Sequence, residues 1–361
     1  MNKATLGRQG KFTIGDIERL CRLTGAKKRS VVLGPRYGAD FGVISLTKDM
    51  AMVVSTDPLY INPGMRVSEA AWFAFQIMVA DTALSGLMPE YIAVDWNLPE
   101  DYPKKRIFSI SETFNREAGN IGASIVTGHT GKYEGCAPPV LGAGTVIATG
   151  HPDSLILPVN AGPGDLLIGA GTPALESSIL LSYELEEILT QNFGRGFIGR
   201  LRRRLSELSI LEKTTVLAGM HGITSMHDAS ERGLFGAIHE IAHSSNVGFT
   251  VELPASTYDS EIAALSDFLG FNPYKSSSEG MLLVTVKERY AGDILDKLRS
   301  SGIQSHVIGT TAPQRQGVVL KRGKNRSVHL EDPAADGFVL ALEKGRRMQT
   351  RREGNDGSML R

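Results

Sequence analysis

Val53-Val54-Ser55-Thr56-Asp57-Pro58 reads as a buried strand that stops on a carboxylate. Two other acids interrupt apolar sequence nearby: Asp40 in Gly38-Ala39-Asp40-Phe41-Gly42, and Asp81 in Ala80-Asp81-Thr82-Ala83. A buried carboxylate is costly unless something positive meets it. Hard divalent cations take oxygen ligands, and Mg²⁺ is typically held by a few carboxylates together with a substrate's phosphates. The trio therefore points to a metal-bound nucleotide. The competing reading makes each acid a helix cap or turn residue.

Outward from that stretch, 361 residues suggest two domains with an ample core. A formal net charge of zero argues against a nucleic-acid or membrane-surface partner. No apolar run reaches the roughly 20 residues that span a bilayer. Met1 to Phe12 is polar and basic, without the apolar core of an export signal. Cys21 and Cys136 are the two cysteines, too few for a disulfide framework or a zinc cluster. A soluble, cytoplasmic protein mixing helices and strands is expected.

Apolar periodicity predicts a short helix over 13–24 and strands near 42–46 and 50–56. Ser68 is a plausible N-cap for a long helix with Ala71, Ala74, Ile77 and Met78 on one face, and Asp81 falls near that face. Strands are expected at 91–97, 123–127 and 140–149, with a helix at 104–119. Pro158 to Gly164 marks a boundary, and Asp165-Leu166-Leu167-Ile168-Gly169 opens a new strand. Helices near 175–190 and 196–218 follow, then helices at 231–244 and 259–269. Strands at 247–252, 281–287 and 305–309 complete the pattern, with helices at 289–301 and 335–344. The expected units are 1–158, 159–345 and a basic, disordered tail over 346–361.

Three further segments carry chemistry. Met226-His227-Asp228-Ala229-Ser230-Glu231-Arg232-Gly233-Leu234 precedes a helix whose N-terminus suits an anion. Asp228 or Ser230 would cap that helix, and His227-Asp228 suits acid–base or orienting work; the alternative is a capping loop with an incidental histidine. Ser276-Ser277-Ser278-Glu279-Gly280 presents small residues whose backbone N–H groups suit a ligand, or an ordinary loop. Gly128-His129-Thr130-Gly131 follows a strand, and His129 either touches a phosphate or is solvated. The run Arg200, Arg202, Arg203 and Arg204 reads as a solvated face, with phosphate binding as the alternative. No Walker loop, GxGxxG fingerprint or GxSxG elbow occurs.

In order, these segments resemble the PurM-like (AIR synthase-related) superfamily. Asp40 sits at its acidic loop, Ser55-Thr56-Asp57-Pro58-Leu59 at its Thr-Thr-Asp strand end, and Ala80-Asp81-Thr82-Ala83-Leu84-Ser85-Gly86 at its Asn-Asp helix. Gly128-His129-Thr130, Pro163-Gly164-Asp165, His227 to Leu234, Ser277-Ser278-Glu279-Gly280 and Ile308-Gly309 continue the match over roughly residues 10–345. The second half most resembles the HypE-like hydrogenase-maturation proteins. The resemblance implies an α+β, two-domain fold: an N-terminal α/β domain whose sheets join into an intersubunit β-barrel in a homodimer, and a C-terminal mixed sheet flanked by helices. It implies ATP and Mg²⁺ in the cleft. Asp40, Asp57 and Asp81 become metal ligands. His227, Asp228 and His129 become catalytic residues. Lys11, Gly128, Thr130, Gly233 and Ser278 become cofactor contacts, Lys11 in a glycine-rich segment closing over phosphates.

Departures qualify this. The family's usual Asn-Asp is Ala80-Asp81 here, and Glu231-Arg232-Gly233 replaces a more glycine-rich turn. The sequence ends Gly357-Ser358-Met359-Leu360-Arg361 without the acceptor cysteine of the HypE-like proteins, so their self-modifying reaction is not expected. Two functions follow as expectations. One is phosphoryl transfer from ATP to a carbonyl or thiocarbonyl oxygen or a phosphate, on a small-molecule or protein-borne acceptor. The other is a non-catalytic nucleotide-binding paralogue that acts as an assembly partner.

Overall fold

The structure, a computed structural model, describes residues 12–254, 257–323 and 326–356. Lys11 lies outside the described residues.

The N-terminal half holds α1 (Ile14–Cys21), β1 (Val31–Leu33), β2 (Gly42–Ser45), β3 (Ala51–Tyr60), α2 (Val67–Leu84), β4 (Tyr91–Leu98), α3 (Lys104–Asn120), β5 (Ser124–Lys132) and β6 (Val140–Gly150). Its strands form one sheet in the order β1-β2-β3-β6-β4-β5. Only β4 and β5 run parallel, joined by the crossover helix α3, as parallel neighbours require. Alternating burial along β4 puts Ile92, Val94, Trp96 and Leu98 inward, onto α2 and α3.

β3 runs past the predicted stop at Asp57 to Tyr60. The reason is its neighbours. β2 pairs only as far as Gly42 with Val54, so beyond Ser55 β3 bonds to β6 alone. One free edge lets Pro58 sit within a strand without losing a ladder bond. Helix α2 begins at Val67 with Arg66 at the N-cap and no side-chain cap, so Ser68 is inside the helix and does not cap it.

The second half holds β7 (Leu166–Ala170), α4 (Leu175–Glu184), α5 (Glu186–Arg202), α6 (Ile210–Leu217), β8 (Ile223–Asp228), α7 (Gly233–Ser245), β9 (Val247–Val251), α8 (Ser260–Leu269), β10 (Leu282–Val286), α9 (Ala291–Ser300), β11 (Ser305–Pro313), β12 (Val318–Lys321), β13 (Ser327–His329) and α10 (Gly337–Asp356). The sheet order is β13-β12-β9-β11-β7-β10-β8, mixed because β12 and β9 are parallel. The helix predicted over 196–218 is broken once within that span, and the chain is kinked just before it. Gly194 kinks α5 with φ 80°, and a 3₁₀ turn at Leu205–Leu208 separates it from α6. The last helix does not stop at Lys344. It runs to Asp356, with Arg346 paired to Glu184 at 2.9 Å and Arg347 to Glu343 at 3.2 Å. The i,i+4 pair and contact with α4 support a helix poor in apolar residues.

The two halves share a core. Phe73, Met78 and Leu59 cluster with Ile179, Leu180 and Leu185, so apolar surface from both sheets' helices is buried together. Asp165 anchors the start of β7: it is fully buried, pairs with Lys287 at 2.7 Å and accepts from Thr224 Oγ1 at 2.8 Å. Among the described residues no helix is long and apolar enough to cross a membrane.

Candidate functional site

β3 carries Asp57, α2 carries Asp81, the loop before β2 carries Asp40, and β8 ends on Asp228. These four converge on one cavity of about 390 Å³ at the seam between the halves. Glu176 from the first turn of α4, with Glu231, Glu279 and Asp336, completes a wall of eight carboxylates. Ile77, Leu180, Phe338 and Val339 supply an apolar side.

So much acid out of water is reflected in the protonation equilibria. Burial, with repulsion from Asp40 and Asp228, pushes Asp57 up to about 7 even though Asp81 bonds to it. Asp81 and Glu279 are driven well above the usual carboxylate range by burial and by their acidic neighbours. Burial raises Glu176 to about 8, opposed by the N–H of Glu279, which donates to it at 2.8 Å. Asp57 Oδ2 and Glu279 Oε1 are buried without a hydrogen-bond partner. Hard oxygen donors, mutual repulsion and an orphaned buried oxygen together fit a divalent cation.

His227 is almost fully buried at the edge of this cluster. Its Nδ1 donates to the carbonyl of Asp228 at 2.7 Å. Its Nε2 stands 3.3 Å from Asp40 Oδ2 and 3.3 Å from Glu240 Oε2. Those carboxylates outweigh burial and raise the imidazole to about 10. His227 is therefore a fixed imidazolium in the metal-free protein, an internal counter-charge and not a proton shuttle at neutral pH. Asp40, His227 and Asp228 bring their side-chain ligand atoms within 4.8 Å of one another.

Arg232, flagged by sequence as an oddity, turns away from the cavity. It binds Asp332 with two hydrogen bonds at 2.8 and 2.9 Å, and reaches Tyr37 Oη at 2.7 Å and Glu240 Oε1 at 2.8 Å. Neither Asp228 nor Ser230 caps α7; Arg232 occupies the N-cap position, in the left-handed region.

The structure separates other predicted residues from this site. Gly128, His129 and Thr130 lie within strand β5, not in a loop. Asp57, Gly144, Val94 and Gly128 occupy one row across β3, β6, β4 and β5. Three strand spacings put Gly128 about 14 Å from Asp57. His129 instead bonds Tyr133 Oη at 2.7 Å beside a second hollow near Trp96 and Phe114. Gly233 and Ser278 do not line the cavity. Gly233 has φ 61° and packs on the backbone of Ser276. Ser278 Oγ accepts from Ala174 N at 2.7 Å and donates to Ser276 O at 2.6 Å. Ser230 and Ser277 reach the wall in their place. Glu176 and Asp336 were missed by sequence reasoning. Each stands one residue from the start of a helix, Glu176 just inside α4 and Asp336 just before α10, where an acid reads as ordinary dipole complementation.

The N-terminal domain of AIR synthase related proteins matches residues 38–149, and their C-terminal domain matches 162–321. The chain belongs to the AIR synthase related family. Within this family it is 26% identical over 268 residues to the carbamoyl dehydratase HypE of Rhizobium leguminosarum bv. viciae, covering 72% of this chain and 71% of that protein. The crystal structure of E. coli HypE, a hydrogenase maturation protein, superposes with TM-score 0.67 at 23% identity, over 79% of this chain and 86% of that one. A HypE structure in complex with ATP gives TM-score 0.59 at 20% identity, over 82% and 88%. The α+β, two-domain PurM-like fold expected from the sequence is thus the fold of the family, and the likeness to HypE proteins holds.

Proposed function

We propose that this protein is an ATP- and Mg²⁺-dependent enzyme that activates a carbonyl or thiocarbonyl oxygen, or a phosphate, by phosphoryl transfer. The observation that carries this reading is the convergence of Asp40, Asp57, Asp81 and Asp228 on one cavity, with Asp57 Oδ2 buried and lacking a hydrogen-bond partner. A HypE of the same fold is bound to ATP, which supports the nucleotide assignment.

Asp40, Asp57, Asp81 and Asp228 are the residues that would hold Mg²⁺. The ion supplies charge neutralisation on the phosphates, the main requirement of phosphoryl transfer. The chain's own part is positioning. His227 fixes the carboxylates of Asp40 and Asp228 from behind. Ser230 and Ser277 offer hydroxyls at the wall, and Leu180, Phe338 and Val339 offer an apolar face to a purine ring. Lys11 and the row bearing Gly128, His129 and Thr130 join the site, on this reading, through closure or through a second subunit of a homodimer. The acceptor is a small molecule or a group carried by a protein.

ATP with Mg²⁺ is expected to raise the melting temperature, and Asp57→Asn to abolish that shift. An equal shift in both proteins overturns the metal assignment. Tight nucleotide binding without turnover on any carbonyl, thiocarbonyl or phosphate acceptor would favour the non-catalytic paralogue instead.

A further inference from the structure

The arginine run of α5 is divided by the fold. Arg200 pairs with Glu261 at 2.6 Å, and Arg204 is consumed by Glu207, Asp259 and Thr172. Arg202 and Arg203 instead face a separate hollow of about 380 Å³, together with Arg66 and Arg195. That hollow shares no lining residue with the acidic cavity. The two lie toward opposite ends of α4: Glu176 in its first turn lines the cavity and Tyr183 in its last turn lines the hollow. Seven residues of helix separate them, about 10 Å.

The charges in the hollow do not cancel. Glu69 is taken by Arg66 at 3.6 Å and by Tyr183 Oη at 2.9 Å. Glu186 is taken by Arg202 at 2.8 Å. Arg195 and Arg203 have no ion-pair partner among the described residues, which leaves two positive charges. Arg202 is also preorganised. Its guanidinium lies 3.9 Å from the Tyr183 ring centroid and donates to Ser182 O at 2.6 Å and to Ser182 Oγ at 3.2 Å. The Gly194 kink redirects α5 immediately before Arg195. Gly199 leaves space for Arg203, whose Nη1 would be 3.4 Å from a Cβ at that position. Thr190 adds a hydroxyl to the wall.

Planar, permanently charged forks around a concave surface match the tetrahedral, doubly charged oxygens of a phosphate monoester better than they match a single carboxylate. We propose that this hollow is a phosphate-binding site, taking either inorganic phosphate or the phosphate of a small phosphorylated metabolite. The site goes beyond the proposed ATP reaction and does not depend on it.

The test uses full-length protein without Mg²⁺, titrated with inorganic phosphate and, separately, with ribose 5-phosphate, by calorimetry at constant ionic strength. Saturable binding is expected in the wild type and in Asp57→Asn. Arg195→Gln/Arg203→Gln is expected to weaken it at least tenfold while melting within a few degrees of the wild type. Tighter binding of the sugar phosphate assigns an organic source, and equal affinity assigns the free anion. No saturable binding, or equal binding by the double variant, overturns the site. So does loss of binding in Asp57→Asn alone, which would place the anion in the acidic cavity. Because the expected result survives failure of the metal assignment, the two proposals fail separately.

Discussion

Glu240 Oε2 stands 3.3 Å from His227 Nε2, deep inside the protein, and Glu240 is itself only 2% exposed. With Asp40 and Asp228, the larger contributors, Glu240 keeps this imidazole charged where burial alone would discharge it. Glu240→Gln removes one of the two carboxylates facing Nε2, so the His227 pKa should fall from about 10 toward neutrality. Imidazole NMR across pH 6–10 reads this directly. An unchanged titration would mean that Asp40 and Asp228 alone hold the proton.

Arg232 is held with φ 64°, a conformation costing a non-glycine residue roughly 1–2 kcal/mol. Its side chain must return more than that through Asp332, Tyr37 and Glu240. Arg232→Ala keeps the strain, loses the bonds and leaves buried Glu240 with His227 as its remaining cation; a loss of about 3 kcal/mol is expected. Arg232→Gly loses the same bonds but relieves the backbone. It should therefore be about 1 kcal/mol more stable than the alanine variant in denaturant unfolding. The reverse order would show that the backbone at 232 carries no strain.

These two networks mark the limit of what the sequence disclosed. Alternation and helical spacing made most strands and helices legible, because burial on one face writes a period into the chain. Asp40, Asp57 and Asp81 were legible because carboxylates in apolar runs demand an explanation. Strand β8 was not separated from its motif, since His227 and Asp228 give it a polar end. The role of Glu240 was illegible, because it shares His227, 13 residues back, with Asp40, 200 residues back, and no local pattern records such closure. His129 was misplaced because Gly-His-Thr-Gly reads as a loop, whereas the edge strand β5 tolerates glycine beside Val94.

Metal-free protein should lose stability as pH rises. Asp57, lifted from 3.8 to about 7, and Glu176, lifted from 4.5 to about 8, keep protons in the folded state that the unfolded chain has released. Between about pH 4 and 8 the folded form thus binds more protons, and stability falls with increasing pH. His227, raised from 6.5 to about 10, acts in the same direction above pH 6.5. Melting temperature with EDTA should drop from pH 5.5 to 8.5, and Mg²⁺ should flatten the slope by neutralising Asp57. A melting temperature that climbs with pH in EDTA would contradict the buried acidic cluster.

Asp336 joins the start of α10 to both motif loops. Its carboxylate accepts from Arg232 N at 2.6 Å, Ser277 Oγ at 2.7 Å, Ser277 N at 3.2 Å and Phe338 N at 2.7 Å. Phe338 and Val339, just beyond it, form part of the cavity's apolar wall. Asp336→Ala strands three backbone N–H groups, two of them outside α10, at a cost on the order of 2–4 kcal/mol. Asp336→Asn keeps the shape but turns one acceptor into a donor facing an N–H or the Ser277 hydroxyl, so it should rescue only part of that loss. Because the wall moves with the latch, both variants should weaken ATP binding more than a change at the exposed Leu340, such as Leu340→Gln, on the same helix. Wild-type ATP affinity in Asp336→Ala, with stability reduced, would separate the latch from the nucleotide cavity.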